Sequence, residues 1–249
     1  SGELSGEAKT STKVLFVSAL VLLVVLLTGP LGYKFDLVPL EPSLISLLIA
    51  LVGGALVSII GFVYLIIALR NEHTDDRNLL VLAIFLGLLP SVFVLPQMSR
   101  AQSVPAIHDI TTDTDNPPTF VAVVPLRKGA PNPVAYGTED WPAKKLGAAT
   151  MQAYPDLEPL RAEMSVADAI ERAETVLVQM GLEIVAKESL EGRLEATATT
   201  FWFGFKDDVV IRIVGDGEEA VIDLRSKSRV GQSDIGANAD RIREFIRRF

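Results

Sequence analysis

Two adjacent residues, His108 and Asp109, are the first candidates for chemistry in this sequence, and Asp113 follows close behind. An imidazole beside a carboxylate suits general acid–base catalysis or metal binding. Sequence neighbours usually point apart, however, and Asp and Thr also favour turns for backbone reasons. No nucleophile is identifiable to complete a catalytic set. Two alternatives therefore stand: a hydrolase that uses His108 with Asp109 or Asp113, or a structural role for this segment.

The second candidate is a basic strand near the C-terminus. Asp223, Arg225, Lys227 and Arg229 alternate along it and share one face. Three cations in a row suit an anionic ligand such as a lipid headgroup or a carboxylate. Arg241, on the helix that follows, joins this tentative ligand- or partner-binding set. The alternative is a solvated face that Asp223 partly neutralises.

The segment before the domain offers a partner for these cations. Asp109, Asp113 and Asp115 lie in a stretch without basic residues. Opposite charges in the two segments predict that the linker docks on the strand through Arg–carboxylate pairs. Ser226 and Ser228, on the other face of the strand, are expected to hydrogen-bond the start of the linker.

An aromatic cluster occupies residues 201–205. Phe201, Phe203 and Phe205 alternate onto one side of a predicted strand, and Trp202 lies on the other. This pattern indicates sheet core with a partly exposed tryptophan. The alternative is a contact with a membrane interface or a partner, where tryptophan is common.

Metal and cofactor chemistry is constrained by composition. The chain has no cysteine, which removes thiolate nucleophiles, iron–sulfur clusters and cysteine-based zinc sites. Its two histidines, His73 and His108, lie on opposite sides of an apolar run, so a zinc site built on several histidines is not expected. We predict no metal, no cofactor and no catalytic residue.

Three uncharged apolar runs, residues 14–33, 43–69 and 78–99, precede the candidate residues. About 20 helical residues cross a bilayer, so each run predicts a transmembrane helix. A cleaved signal peptide is the competing interpretation of the first run, but no small-x-small site follows it. Ion and proton transport is disfavoured because no charged residue lies within a run.

Basic residues near the helix ends predict the orientation. One side holds four and the other two: Lys9, Lys13, Arg70 and Arg77 against Lys34 and Arg100. The bias predicts a cytoplasmic tail at residues 1–13, a transmembrane domain at 14–99 and an extracytoplasmic domain at 100–249. In a Gram-negative bacterium the last domain is periplasmic, and the protein is a multi-pass inner-membrane protein.

The second run carries a stripe of small residues at helical spacing: Ala50, Gly54, Ser58 and Gly61. Small residues let two helices approach closely in a membrane. The stripe predicts packing either against the other helices of the same chain or against a helix of another subunit.

The soluble part divides into a linker and loop region, residues 100–160, and a compact core, residues 161–249. Residues 119–125 predict a short strand in the first. In the second, Ser165 caps a helix, strands follow at 182–188, 193–203, 208–214 and 219–226, and Ser233 caps a final helix with a stripe that begins at Ile235. The pattern predicts an α+β domain with an antiparallel four-stranded sheet and two helices on one face.

Several stretches make the sequence similar to a known family. They are residues 108–113, 117–120, 154–156, 203–205 and 207–209, and the block 223–231 with 234–239, Arg241 and Ile242. Together they cover most of residues 105–245 and resemble the family catalogued as domain of unknown function 1499. Residues 29–33 also resemble the membrane part of its bacterial members. The resemblance implies a bacterial envelope protein and supplies no established activity.

Three functions follow as expectations. The first is a non-catalytic accessory or scaffold subunit of an inner-membrane complex, with a periplasmic interaction domain. The second is a periplasmic binding module for an anionic envelope ligand or lipid headgroup, and the third is the hydrolase. Expected partners are membrane lipids and a membrane protein or a second copy of the chain. Nucleic acid is not expected, because the chain carries a net charge of −8.

Overall fold

The structure is a computed structural model that describes residues 8–71 and 74–249. His73 lies outside the described residues. The chain forms two compact units, Ser1–Ser99 and Arg100–Phe249. Each is described by itself.

The first unit is built from long apolar helices. These are α1 (Thr10–Lys34), α2 (Leu40–Arg70) and α3 (Thr74–Ser103). All three helices of this part of the described chain are long and apolar enough to cross a membrane, which confirms the predicted spans. Large apolar side chains such as Leu56 and Phe85 are exposed on them, as expected for surfaces that face lipid. Because α1 begins at Thr10, the last residues of the expected N-terminal tail are helical.

The small-residue stripe of α2 packs against α3 of the same chain. All four residues are buried: Ala50, Gly54, Ser58 and Gly61. The hydroxyl of Ser58 lies 3.1 Å from the carbonyl oxygen of Ile84 and donates to it. A β-carbon at Gly54 would lie 2.3 Å from the carbonyl oxygen of Gly87. Of the two alternatives for the stripe, packing within the chain is the one observed.

The second unit contains an antiparallel sheet with the order β1-β6-β5-β4-β3, and β2 pairs with β6 beside β1. The strands are β1 (Asp109–Thr111), β2 (Leu160–Ala162), β3 (Glu183–Glu188), β4 (Arg193–Thr199), β5 (Lys206–Asp216) and β6 (Glu219–Ser228). The helices are α4 (Ala143–Ala153), α5 (Val166–Gln179) and α6 (Ala237–Arg248).

The expected four-stranded sheet with two helices is therefore incomplete. The described sheet has six strands. The linker and loop region contributes β1 and α4, and β2 crosses the boundary between that region and the predicted core. The two extra strands have three residues each, too few for the alternation of side chains to appear as a pattern. Helix α4 buries only Leu146, Gly147 and Thr150 in its 11 residues, so its apolar stripe is weak.

The strand predicted at residues 119–125 does not form. The amides of Val121, Ala122 and Val123 turn inward and donate to the carboxylate of Glu195, each at 3.0 Å. A 3₁₀ turn at Pro125–Arg127 follows. The segment cannot pair as a strand because its donors are already used by a side chain.

Strand β4 ends at Thr199, earlier than predicted, and residues 200–205 form a turn. Thr200 closes it, because its hydroxyl accepts from the Phe205 amide at 2.9 Å. Phe201 is 74 % exposed and is not part of the sheet core, contrary to expectation. Local hydrogen bonds of a threonine compete here with the strand pairing that the aromatic alternation indicated.

The final helix begins after Gly236, later than a cap at Ser233 implies. Asp234 does the capping instead, and its carboxylate accepts from the amides of Gly236 at 2.7 Å and Asn238 at 3.0 Å. Ile235 adopts φ 49° in the preceding loop and is not part of the helical stripe. The left-handed backbone that turns the chain into α6 is rare for a β-branched residue, so sequence alone does not indicate it.

Helices α5 and α6 cover one face of the sheet and bury the apolar core. Ser165 caps α5 as predicted, since its hydroxyl accepts from the amide of Asp168 at 3.1 Å. Ile170 and Leu177 of α5 and Ile242 and Phe245 of α6 are each no more than 1 % exposed. The opposite face of the sheet carries mostly charged side chains, together with a small apolar cluster in which Val210 of β5 packs with Phe120 and Val123.

Replacement of Gly54 by Leu tests the packing of α2 on α3. We expect the free energy of unfolding of the membrane unit to fall by about 1–3 kcal/mol, because the added side chain meets backbone rather than a flexible neighbour. Unfolding of the full chain in detergent by added dodecyl sulfate, followed by circular dichroism, measures the change. Val52→Leu, at a position 58 % exposed, is the matched control. A Gly54→Leu curve that superimposes on that of Val52→Leu contradicts the packing described.

Candidate functional site

A layer of charged side chains lies on the face of the sheet opposite α5 and α6. We call it the ionic layer and define it by its residues: Asp109, Asp113, Arg127, Arg193, Glu195, Asp208, Arg212, Asp223, Arg225, Lys227 and Arg229. Strand geometry produces it, because alternate residues of β4, β5 and β6 point to this face. Residues 113–138, which we call the covering segment, lie over the layer and bury most of it. Arg212 and Asp113 at the edge stay 25 % and 26 % exposed. Every member takes part in an ion pair with another member.

The centre of the layer is the carboxylate of Asp109. It accepts two hydrogen bonds from Arg225, 2.8 Å from Nε and 2.9 Å from Nη2, and a third from Lys227 Nζ at 2.9 Å. All three side chains are at most 3 % exposed. Burial lowers the pKa of Lys227, and the neighbouring Asp109 carboxylate opposes that shift. Backbone pairing holds the three in register, since Asp109 lies opposite Lys227 in the β1–β6 ladder.

The other N–H groups of Arg225 and Lys227 donate hydrogen bonds to the covering segment. Arg225 donates to the carbonyl oxygens of Pro118 and Val134, and its guanidinium lies between the rings of Phe120 and Tyr136, 4.9 and 5.3 Å from their centroids. A guanidinium held by a bidentate carboxylate and flanked by two rings is well suited to a buried position. Burial also raises the pKa of the Tyr136 phenol to about 12.

Lys227 reaches the same segment, because its Nζ donates to the carbonyl oxygen of Ala135 at 2.7 Å. Its ammonium therefore bonds both to Asp109 and to the covering segment. Asp109, Arg225 and Lys227 form the central cluster. In it, Arg225 and Lys227 each bond both to β1 and to the covering segment.

A second cluster surrounds Asp208 of β5, which is fully buried. Arg127 lies 2.6 Å from this carboxylate, Arg229 bonds it at 2.7 and 2.9 Å, and Thr197 donates to it at 2.7 Å. Arg127 belongs to the 3₁₀ turn of the covering segment. The Arg127–Asp208 pair therefore attaches the covering segment to β5.

Two further clusters complete the layer. Glu195 of β4 binds the three amides of residues 121–123 and also pairs with Arg193. Arg212 of β5 bridges Asp223 at 2.7 Å and Asp113 of the covering segment at 2.9 Å. Each cluster thus joins a strand to the segment above it.

The predicted docking of the linker on the basic strand is observed, with some different partners. Arg225 and Lys227 pair with Asp109, but Asp113 pairs with Arg212, and Arg229 pairs with Asp208. Asp115 is exposed. The face is therefore buried by the chain itself rather than solvated.

Arg241 does not join this set, because it lies on the other side of the sheet. It pairs with Asp207 at 2.7 Å and donates to the hydroxyl of Ser226 and the side chain of Asn238. The hydroxyls of Ser226 and Ser228 bond to Asn238 of α6. The expected bond to the start of the linker is made by the backbone instead, since the amide of Ser228 donates to the carbonyl oxygen of His108 at 2.9 Å. Asn238 lies in the family-like block 234–239, but no local pattern indicated its contacts, since its partners lie in another element.

The imidazole of His108 is almost fully buried at the entry to β1. Its Nδ1 lies 3.2 Å from the carbonyl oxygen of Gln232, and its Nε2 has no hydrogen-bond partner among the described residues. Because a carbonyl only accepts, Nδ1 carries the proton. Burial lowers the pKa of His108, so the ring is neutral at pH 7.

A cavity of about 10 Å³ adjoins this ring, and Thr138, Trp141 and Lys227 line it with His108 and Asp109. This volume corresponds to about one water molecule. The side chains of His108 and Asp109 are not hydrogen-bonded to each other, since Asp109 binds Arg225 and Lys227. The arrangement can hold a water and does not form a base–orienter pair.

Sequence comparison places the chain in a family. The model of the family described as protein of unknown function (DUF1499) matches residues 109–249, more than half of the chain, and the chain belongs to that family. The match begins at Asp109, the carboxylate at the centre of the ionic layer. A search of curated proteins finds no match.

Replacement of Asp109 by Asn tests the central cluster. We expect a loss of about 3–5 kcal/mol in the free energy of unfolding, because two buried cations lose the charge that compensates them. Urea unfolding of the full chain in detergent, followed by tryptophan fluorescence, measures it. The matched control is Asp216→Asn, which breaks an exposed pair with Arg161 and costs at most about 1 kcal/mol. Equal effects of the two substitutions refute the cluster as a structural centre.

Proposed function

We propose that the protein is a non-catalytic accessory or scaffold subunit of a bacterial inner-membrane complex. Its C-terminal domain lies in the periplasm and carries the interaction surface. The observation that carries the proposal is the attachment of β1 to β6 through Asp109, Arg225 and Lys227. This attachment holds β1, the first strand after the membrane helices, on the sheet.

The length of the connection supports this role. Five residues, 104–108, separate α3 from β1. A chain of this length spans at most about 20 Å even when it is extended. Since β1 is held by buried ion pairs and by α6, the domain cannot move far from the bilayer without breaking them. A domain that a short connection keeps within a maximum distance of a membrane is suited to bridging or positioning other subunits.

The use of the charged residues also supports a structural role. The residues of the basic strand are engaged with carboxylates of the same chain, which weighs against an open site for an anionic ligand. The hydrolase alternative lacks room, because the cavity beside His108 is about the size of one water. Both alternatives remain less well supported than a scaffold.

Assembly in the membrane is the direct test of the scaffold. The full chain is cross-linked in native membranes and purified in mild detergent, and its mass is compared with that of the chain alone. We expect a defined assembly that contains further subunits and that is lost with Asp109→Asn but kept with Asp216→Asn. A monomer in wild-type membranes contradicts the proposal. An ester or phosphate hydrolysis that His108→Gln abolishes would favour the hydrolase instead.

The orientation is tested with single cysteines, which the absence of native cysteine allows. Leu190→Cys places a thiol at a fully exposed site of the C-terminal unit, and Asn71→Cys places one at an exposed residue directly after α2. We expect a membrane-impermeant maleimide to label the first in intact cells and the second only after lysis, because the basic residues favour that orientation. The opposite labelling pattern shows that the domain is cytoplasmic.

A further inference from the structure

The turn between β4 and β5, residues 200–205, presents two aromatic side chains to the exterior. Phe201 is 74 % exposed and Trp202 is 46 % exposed. Their rings meet edge to face with 5.1 Å between centroids. We call this feature the aromatic turn.

The aromatic turn is rigid. The amide of Thr200 donates to the carbonyl oxygen of Phe205, and the amide of Gly204 donates to that of Thr200. Gly204 adopts φ 68°, which favours glycine. The rings of Phe203 and Phe205 stack with 4.7 Å between centroids. A fixed loop presents large side chains without the entropic cost of ordering them on binding.

The strand register places the aromatic turn at one end of the sheet. The turn follows the last residue of β4 and precedes Lys206, the first of β5, and Asp208 of β5 lies opposite Lys227 of β6. Asp109, the first residue of β1, lies opposite the same Lys227. The aromatic turn and the point where the chain enters from the membrane helices are therefore at the same end of the sheet.

We propose that the aromatic turn inserts into the headgroup region of the bilayer that the helices of the same chain span. Tryptophan favours this interface because its ring is apolar and its indole N–H is polar. The apolar ring of Phe201 beside it adds surface that lipid can bury. The five residues between α3 and β1 keep the start of β1 within about 20 Å of the C-terminal end of α3. Lys206 is exposed beside the turn, where its ammonium meets lipid phosphate.

This contact adds a second attachment to the bilayer, and the proposed scaffold does not depend on it. The tether at β1 sets a maximum distance for the domain, whereas an inserted turn also sets its tilt. Two attachments to one membrane fix an orientation that a single tether leaves free. The bilayer is favoured as the occupant because a membrane helix, α3, leads through only five residues into this end of the sheet.

Tryptophan fluorescence in vesicles tests the insertion. The full chain with Trp141→Phe keeps Trp202 as its single tryptophan. It is reconstituted into phosphatidylcholine vesicles, with or without phosphatidylglycerol, whose acyl chains carry bromine near the headgroup. We expect the emission of Trp202 to be blue-shifted and to lose intensity relative to unbrominated vesicles. Bromine near the chain ends should quench it less, because the ring lies at the interface.

A tryptophan at the opposite end of the sheet is the matched control. Leu190 is fully exposed just before β4, at the end of that strand remote from the aromatic turn. In a chain with Trp141→Phe and Trp202→Phe, Leu190→Trp should show no quenching by brominated lipid. Circular dichroism verifies that both chains are folded.

Two results would overturn the proposal. One is quenching of Trp202 by brominated lipid no greater than that of the tryptophan at position 190. The other is Trp202 emission that is blue-shifted in native membranes but not in pure lipid vesicles, which would assign the aromatic turn to a protein partner.

Discussion

A carboxylate buried between two cations holds the second unit together. Asp109 is 2 % exposed and bonds to both Arg225 and Lys227. Strand β1 has three residues, too few for its backbone hydrogen bonds alone to specify one register against β6. Any slip along β6 would leave two buried cations without a counter-charge, which costs several kcal/mol. The ion pairs therefore specify where the chain joins the sheet, whatever their net contribution to stability.

The two faces of the sheet bury different kinds of side chain. Toward α5 and α6 it buries apolar side chains, and the hydrophobic effect supplies the driving force. Toward the segment 113–138 it buries charges, and that segment has little regular structure of its own. An irregular segment cannot satisfy its amides and carbonyls by itself, so Glu195, Arg225 and Lys227 bond to them directly. These bonds hold the first part of the second unit in place on the sheet, although that part has few regular elements of its own.

The sequence predicts the parts whose signals are local and leaves out those that depend on distant partners. The three membrane helices, the cap of α5 and the antiparallel succession from β3 to β6 follow from hydropathy and periodicity. The opposite charges of Asp109 and Arg225 indicated their contact. Asp208 lies in a stretch that resembles the family, but nothing in the sequence indicated the role of Asp208 or Glu195. Their partners belong to residues 121–127, which are distant in the chain and come close only when the chain folds. Strand β1 was missed for the same reason, since three residues become a strand only when β6 is beside them.

Hydrogen exchange at β1 is the most direct measure of this account. The amide of Thr112, directly after β1, donates to the carbonyl oxygen of Leu224 at 3.0 Å. If the buried carboxylate locks β1 to the sheet, β1 opens only when the domain unfolds. Mass spectrometry on the full chain in lipid nanodiscs should then find the peptide of residues 106–114 protected as strongly as that of β6. Exchange of residues 106–114 that is much faster than exchange of β6 would show that β1 detaches while the sheet stays folded, and would contradict the account.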